Sequence, residues 1–143
     1  MACKVYNESS DELDNVRKLI NASKKVLENA FAPFSNFRVG AAILTEKGNM
    51  YTGCNVENSS FGGTICAERG AAMASVAAEG YSRFAAIAIA TEPEDPAQPC
   101  GICRQFLSQF TSPDVPVYLV STTSGVVKRF DFGDLMPFAF VEF

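Results

Sequence analysis

Apolar residues near the start of the chain recur at the spacing of a helix. Leucine, isoleucine and valine positions between residues 13 and 30 alternate with Lys and Asn in the pattern of one apolar face. Ser9 and Glu12 stand three residues apart just before this segment, the spacing of a capping box. Pro33 follows it and cannot continue a helix. The pattern predicts an amphipathic helix over about residues 11–30.

The rest of the chain alternates between strand and helix patterns. Apolar runs at 37–45 and 50–56, joined by a Glu-Lys-Gly-Asn turn, predict a hairpin, and runs at 84–91, 115–121 and 126–130 predict three more strands. Segments 66–78 and 100–110 predict helices, and 132–136 one further helical turn. We therefore expect one domain over residues 1–143. Its predicted fold is a three-layer α/β/α sandwich with a mixed five-stranded sheet.

The order of these segments also predicts where a ligand would bind. A strand–helix–strand–helix–strand section in the middle implies parallel pairing there. The helices predicted to begin at residues 66 and 100 then start at the edge of the sheet where strands end and helices follow. Ligands often bind at this edge in such sheets.

Composition narrows the class of protein. Apolar residues make up 48% of the 143 positions, enough for one core. The longest apolar runs are much shorter than the ~20 residues of a membrane span, and residues 1–14 are polar and acidic, unlike a targeting peptide. We expect a cytoplasmic protein. The net charge of −4, without a basic run, argues against a polynucleotide substrate.

Cysteine and histidine usage narrows the chemistry. The chain has five cysteines and no histidine. An odd number of cysteines in such a chain favours thiols and metal binding over a disulfide framework. The absence of histidine excludes serine triads, cysteine–histidine nucleophiles and two-histidine zinc helices. Acid–base chemistry must therefore come from Glu, Asp, Lys, Tyr or Cys.

Two short stretches, residues 64–69 and 99–105, carry the candidate chemistry. Cys100 and Cys103 are one helical turn apart, so their sulfurs share a face, and Cys66 supplies a third sulfur at another helix start. Three thiolates hold zinc with one position open for water, as in catalytic sites, and Glu68 is placed to move the protons of that water. The spacing predicts zinc-assisted hydrolysis.

Two other interpretations of these cysteines fit the sequence less well. A redox pair needs no third cysteine, and a structural zinc site needs four closed ligands. Cys54 is the nearby candidate for a fourth, but it falls inside a strand and is expected to pack as a small apolar residue; Cys3 lies in a terminus expected to fray. Three thiolates leave the metal centre negative, so helix N-termini and Arg69 are expected to compensate, whereas Arg104 is interpreted as an ordinary surface cation.

These stretches, with segments 32–42, 53–61 and 135–140, resemble the zinc-dependent cytidine deaminases of the small homotetrameric type. The resemblance runs from about residue 9 to 140. It implies hydrolytic deamination of cytidine and 2′-deoxycytidine to uridine and 2′-deoxyuridine with release of ammonia, in pyrimidine salvage. It also implies one zinc per subunit and a homotetramer with shared active sites, acting on a nucleoside rather than on nucleic acid or at a membrane.

The resemblance assigns roles to individual residues. The metal ligands would be Cys66, Cys100 and Cys103, and the proton shuttle Glu68; Asn55 and Glu57 would bind the sugar, Phe37 would lie against the base, and Ala67 would fix the base edge through its backbone. Phe140 would reach a neighbouring subunit's site, and Arg69 and Gln105 would support the cysteines.

Two departures and three rival functions accompany this assignment. Phe61 stands where many members carry Tyr, and Phe138 stands beside Phe140, so either ring could reach the base. A polynucleotide deaminase would need a basic channel, and a deaminase of nucleoside antibiotics would change the sugar pocket that Asn55 and Glu57 form. A non-enzymatic zinc module would need four thiolates, including Cys54.

Overall fold

The computed structural model describes residues 3–142. The strands are β1 (Lys4–Asn7), β2 (Val39–Thr45), β3 (Met50–Cys54), β4 (Phe84–Thr91), β5 (Pro116–Ser121) and β6 (Val126–Asp131). The α-helices are α1 (Arg17–Leu27), α2 (Ala67–Glu79), α3 (Gly101–Ser108) and α4 (Phe132–Leu135), and the 3₁₀ helices are Asp11–Val16 and Phe61–Gly63.

The strands form one mixed sheet in the order β1-β6-β5-β4-β2-β3. Parallel pairing occurs between β4 and β5, where Ile87 lies opposite Val117 and Thr91 opposite Ser121. The other pairs are antiparallel. The prediction of parallel pairing is therefore confirmed for β4 and β5, whereas β2 lies between β3 and β4 and keeps those two strands apart.

The prediction of a five-stranded sheet is wrong, because the sheet has a sixth strand, β1. β1 pairs antiparallel with β6, from Lys4 opposite Arg129 to Asn7 opposite Val126. Three of its four residues are exposed and only Tyr6 packs against the core, so the segment has no apolar pattern that would predict a strand. Its stability comes from backbone pairing with β6, which sequence periodicity does not report.

Two apolar clusters lie on opposite faces of the sheet. Neighbouring residues of β2 and β4 belong to different clusters, because successive side chains of a strand point to opposite faces. Ala42, Ala86 and Ala88 pack with α1, and Ala41, Ile87 and Ile89 pack with α2, α3 and α4. Helices therefore cover both faces.

The ends of the predicted helices shift in the structure. The first predicted helix divides into the 3₁₀ helix and α1, and it ends at Leu27 rather than near residue 30. Its cap is Ser10, whose hydroxyl accepts from the backbone N–H of Glu12 at 3.4 Å, whereas Ser9 donates to Asn7. No helix within residues 3–142 is both long and apolar enough to cross a bilayer.

Candidate active site

The starts of α2 and α3 bring three thiols together. Cys66 and Cys100 are the residues that cap these helices, both with extended backbone, and Cys103 lies in the first turn of α3. The three Sγ atoms lie within 4.8 Å of one another, and those of Cys66 and Cys100 are 3.8 Å apart. Because helix N-termini carry partial positive charge, the cap position of Cys66 favours its thiolate.

This thiol cluster has three members. Among residues 3–142, neither Cys54 nor Cys3 belongs to it, and both are free thiols elsewhere in the fold. A closed structural zinc site needs four protein ligands, whereas three ligands leave one coordination position for water. The donor set therefore fits a zinc ion of the catalytic kind.

Hydrogen bonds within the cluster favour a thiolate at Cys66. Its pKa falls to about 5, chiefly because the Cys103 thiol donates to its sulfur; burial opposes this fall, and Arg69 and Cys100 add to it. The pKa of Cys103 is raised, by that same bond to Cys66 and by burial. One guanidinium nitrogen of Arg69 lies 3.5 Å from Cys66 Sγ and 3.4 Å from the carbonyl oxygen of Thr64. Arg69 therefore lies where the sequence predicted a compensating charge.

Glu68 is a buried carboxyl group beside the thiols. It is the second residue of α2, its side chain is 3% exposed, and burial raises its pKa. A carboxyl group that binds a proton more readily than usual is suited to carrying protons between two partners.

Two of the thiols, those of Cys66 and Cys100, line one small cavity of about 260 Å³ together with Glu68. Ligand pockets for drug-sized molecules span about 300–1,000 Å³, so this one suits a small ligand. The other walls come from the start of β2 and the residues before it, the segment that follows β3, the end of β4 and the segment that precedes α3. Its lining residues are Ser35, Phe37, Val39, Asn55, Glu57, Thr64, Cys66, Glu68, Ile89, Thr91, Ala97, Gln98 and Cys100.

Comparison with known proteins decides the family. Residues 13–119 match the model of the "Cytidine and deoxycytidylate deaminase zinc-binding region". The chain belongs to the cytidine deaminase family. It is 44% identical over 126 residues to a cytidine deaminase of Sporosarcina psychrophila, covering 88% of this chain and 91% of that protein.

Solved structures of the family have the same fold. The chain is 46% identical to the cytidine deaminase of Burkholderia pseudomallei, with a TM-score of 0.78 over 86% of this chain and 97% of that one. It is 34% identical to the Mycobacterium tuberculosis enzyme, with a TM-score of 0.75 over 87% and 96%. The chain thus carries the zinc-binding region of its family, and the three clustered cysteines are suited to hold the metal.

The two residues that family resemblance assigns to the sugar also hold one wall of the cavity. Asn55 accepts from the N–H of Val39 at 2.9 Å and donates to the carbonyl oxygen of Phe37 at 2.7 Å. Glu57 accepts from the backbone N–H groups of Phe34 and Ser35 at 2.8 and 3.2 Å, and from the Ser35 hydroxyl. Hydrogen bonding by Ser35 lowers the pKa of Glu57. Sequence motifs gave no sign of these bonds, which shape the segment that precedes β2.

The predicted aromatic residues occupy different positions. Phe37 lines the cavity and is 39% exposed. Phe140 and Phe138 do not line it within one chain; Phe140 is largely exposed, and Phe138 is fully exposed with a left-handed backbone at φ 57°. Phe61 packs edge-on against Phe34, with ring centroids 5.8 Å apart, in a depression next to the cavity.

The remaining predicted residues surround the start of the two helices. Ala67 is fully buried between Cys66 and Glu68. The amide nitrogen of Gln105 donates to the carbonyl oxygen of Phe140 at 2.6 Å and lies 3.4 Å from Ser108 Oγ, so it supports the C-terminal segment rather than a thiol. Arg104, interpreted from sequence as a surface cation, instead makes three hydrogen bonds beside the cavity.

Proposed function

We propose that this protein is a zinc-dependent deaminase that hydrolyses cytidine and 2′-deoxycytidine to uridine and 2′-deoxyuridine and releases ammonia, a reaction of pyrimidine salvage. The observation that carries this function is one buried carboxyl group, Glu68, beside a cluster of three thiols, two of which line the same small cavity as Glu68. The family and its similar relatives, which are named cytidine deaminases, support the same reaction.

Cys66, Cys100 and Cys103 would hold the metal. When bound, zinc makes a water molecule more acidic and therefore a better nucleophile at neutral pH. Arg69 offsets part of the negative charge of the thiolates through its contact with Cys66 Sγ. Water and a flat base fit the cavity, whose wall of Ile89, Val39 and Phe37 excludes bulk solvent from one side.

Glu68 moves the protons. It takes a proton from the attacking water, passes it to ring nitrogen 3 of the base and makes carbon 4 more electrophilic. The resulting hydroxide adds at carbon 4. Glu68 then takes the proton of the new hydroxyl group and delivers it to the amine, which leaves as ammonia while the carbonyl group forms; the first proton stays on ring nitrogen 3. Its burial keeps competing water away from the carboxyl group.

Other residues around the cavity would bind the substrate. Phe37 would stack on the pyrimidine, and the Ala67 backbone would fix the base edge. Asn55 and Glu57 would bind the sugar hydroxyls with the hydrogen-bond donors and acceptors that their bonds within the protein do not use. An amide group has two N–H donors and an acceptor oxygen, and a carboxylate has about four acceptor sites. Asn55 uses one donor for Phe37 and its oxygen for the N–H of Val39, and Glu57 uses three acceptor sites for Phe34 and Ser35.

We also infer a single three-layer domain that assembles as a cytoplasmic homotetramer with shared active sites. Apolar side chains at the surface support association: Ile102 and Met73 line an exposed groove, and Phe138 and Phe140 protrude near the C-terminus. In a tetramer, Phe140 or Phe138 would reach a neighbouring subunit's cavity. Sedimentation velocity of the purified protein measures the state directly; a monomer at micromolar concentration would contradict it.

Replacement of Glu68 by Gln tests the mechanism. Glu68→Gln keeps the size of the side chain but cannot carry a proton between water and base. We expect one zinc per chain and a loss of nearly all turnover. Glu46→Gln, an exposed carboxylate in the β2–β3 turn, is the matched control and should retain full activity. Full turnover of Glu68→Gln would contradict the role.

A further inference from the structure

Arg104 connects three separate parts of the structure. It lies on α3, directly after Cys103. Its Nε donates to the carbonyl oxygen of Pro99 at 2.8 Å, one terminal nitrogen donates to the carbonyl oxygen of Leu135 at 2.9 Å, and the other donates to Gln98 Oε1 at 3.0 Å. Each of the three guanidinium nitrogens therefore donates a hydrogen bond, unlike those of an ordinary surface cation.

Two of these bonds fix the segment that leads into Cys100. Pro99 immediately precedes that cysteine, and Gln98 lines the cavity next to it. Cys100 is the exposed member of the thiol cluster, and it lies at a helix cap where fewer intrahelical bonds hold the backbone. Its Sγ position therefore depends on contacts of the preceding residues.

The third bond ties this segment to the C-terminal part of the chain. Leu135 is the last residue of α4, where carbonyl groups have no partner within the helix. Arg104 satisfies that carbonyl and so joins α4 to the cavity wall. The planar fork of an arginine can reach three acceptors at once, whereas the single ammonium group of lysine cannot do so in the same geometry.

We propose that Arg104 is a positioning residue that holds Gln98 and Pro99 in place and thereby places Cys100 for metal binding and Gln98 for substrate binding. This proposal rests on the zinc site of the proposed function. Loss of residues that orient metal ligands typically costs 10–100-fold in metal affinity or activity. We expect a loss of zinc affinity in that range, with a rise in KM for the nucleoside.

The test compares Arg104→Lys and Arg104→Gln with wild-type protein. Zinc affinity is measured by competition with a chromogenic chelator, which does not depend on turnover, and thermal melting is recorded alongside it. Arg83→Gln is the matched control, because Arg83 is exposed and makes a single side-chain bond, to Ser112 Oγ at 3.1 Å, away from the thiols. It should bind zinc within about twofold of wild type.

Weaker zinc binding in both Arg104 variants, with retained helix and strand content, supports the positioning role. Wild-type zinc affinity in either folded variant overturns it, as does a lower melting temperature with unchanged zinc affinity well below that temperature, since this is the signature of a purely structural residue. If Arg104→Gln does not fold, Arg104→Lys decides. A wild-type protein that binds zinc tightly but deaminates no nucleoside would contradict the proposed function while leaving this comparison intact.

Discussion

Substitution of Gly53 by Ala should separate the two elements that carry the site. Gly53 lies in β3 against α2, where an added Cβ would meet the backbone N of Ala71 at 2.4 Å and the carbonyl oxygen of Ala67 at 2.5 Å. Both contacts are with main-chain atoms of the helix, so a side chain cannot rotate away to relieve them. α2 would have to move.

The required movement can be estimated from these distances. Ordinary van der Waals contacts begin near 3.4 Å, so α2 must retreat from β3 by about 1 Å. Overpacking of this kind costs about 1–3 kcal/mol, which corresponds to a fall in melting temperature of about 3–12 °C for a chain of this size. The retreat also moves Glu68, near the start of α2, away from Asn55, which directly follows β3. Misplacement of a catalytic group by about 1 Å can cost on the order of 100-fold in rate.

The assay is kcat for cytidine together with a thermal melt of each variant. Gly62→Ala is the matched control, because a Cβ there meets nothing within 4 Å. We expect Gly53→Ala to lose both stability and turnover and Gly62→Ala to lose neither. If Gly53→Ala melts within 1 °C of wild type and turns over at the same rate, the close packing of β3 against α2 does not position the site.

Further predictions concern an ion pair next to β2, the ring of Phe37 and the thiol of Cys54. Arg38 donates to Glu92 at 2.5 Å, and this bond lowers the pKa of Glu92. Arg38→Glu and Glu92→Arg should each lower the melting temperature, and the double exchange should restore part of the loss. In the wild-type protein the pair should stabilise above the ordinary carboxyl range, and this stabilisation should be lost as pH falls through the lowered pKa of Glu92; additive effects of the two exchanges would contradict the pairing. Phe37→Ala should raise KM by the equivalent of about 1–3 kcal/mol of base stacking, measured by steady-state kinetics, and an unchanged KM would exclude stacking. Cys54→Ser should retain one zinc per chain by metal analysis, and loss of the metal would return Cys54 to the ligand set.

The parts of the fold that sequence predicted are those with strong local patterns. The apolar run of β4 was predicted with its observed bounds, Phe84–Thr91, because a strand buried on both faces is a continuous apolar segment. The three-cysteine cluster was predicted because the spacing of Cys100 and Cys103 fixes their relative position on a helix. Cys66 needed the further assumption that both helices begin at the same edge of the sheet.

The features that sequence did not predict depend on backbone partners. β1 is stabilised by pairing with β6, and its exposed residues carry no periodicity. The bonds of Arg104 join carbonyl groups that are 5 and 31 residues away, and a backbone carbonyl has no sequence signature. Such contacts follow from the tertiary fold alone, so Arg104 looked like any surface arginine before its acceptors were known.

The most direct test of the proposed function is a spectrophotometric time course of purified, zinc-loaded protein with cytidine and, in parallel, 2′-deoxycytidine. We expect a fall in absorbance whose rate is proportional to protein concentration, with one ammonia released for each nucleoside converted. No change in absorbance from protein that holds one zinc per chain would contradict deamination of these nucleosides and leave the metal without a hydrolytic role on them.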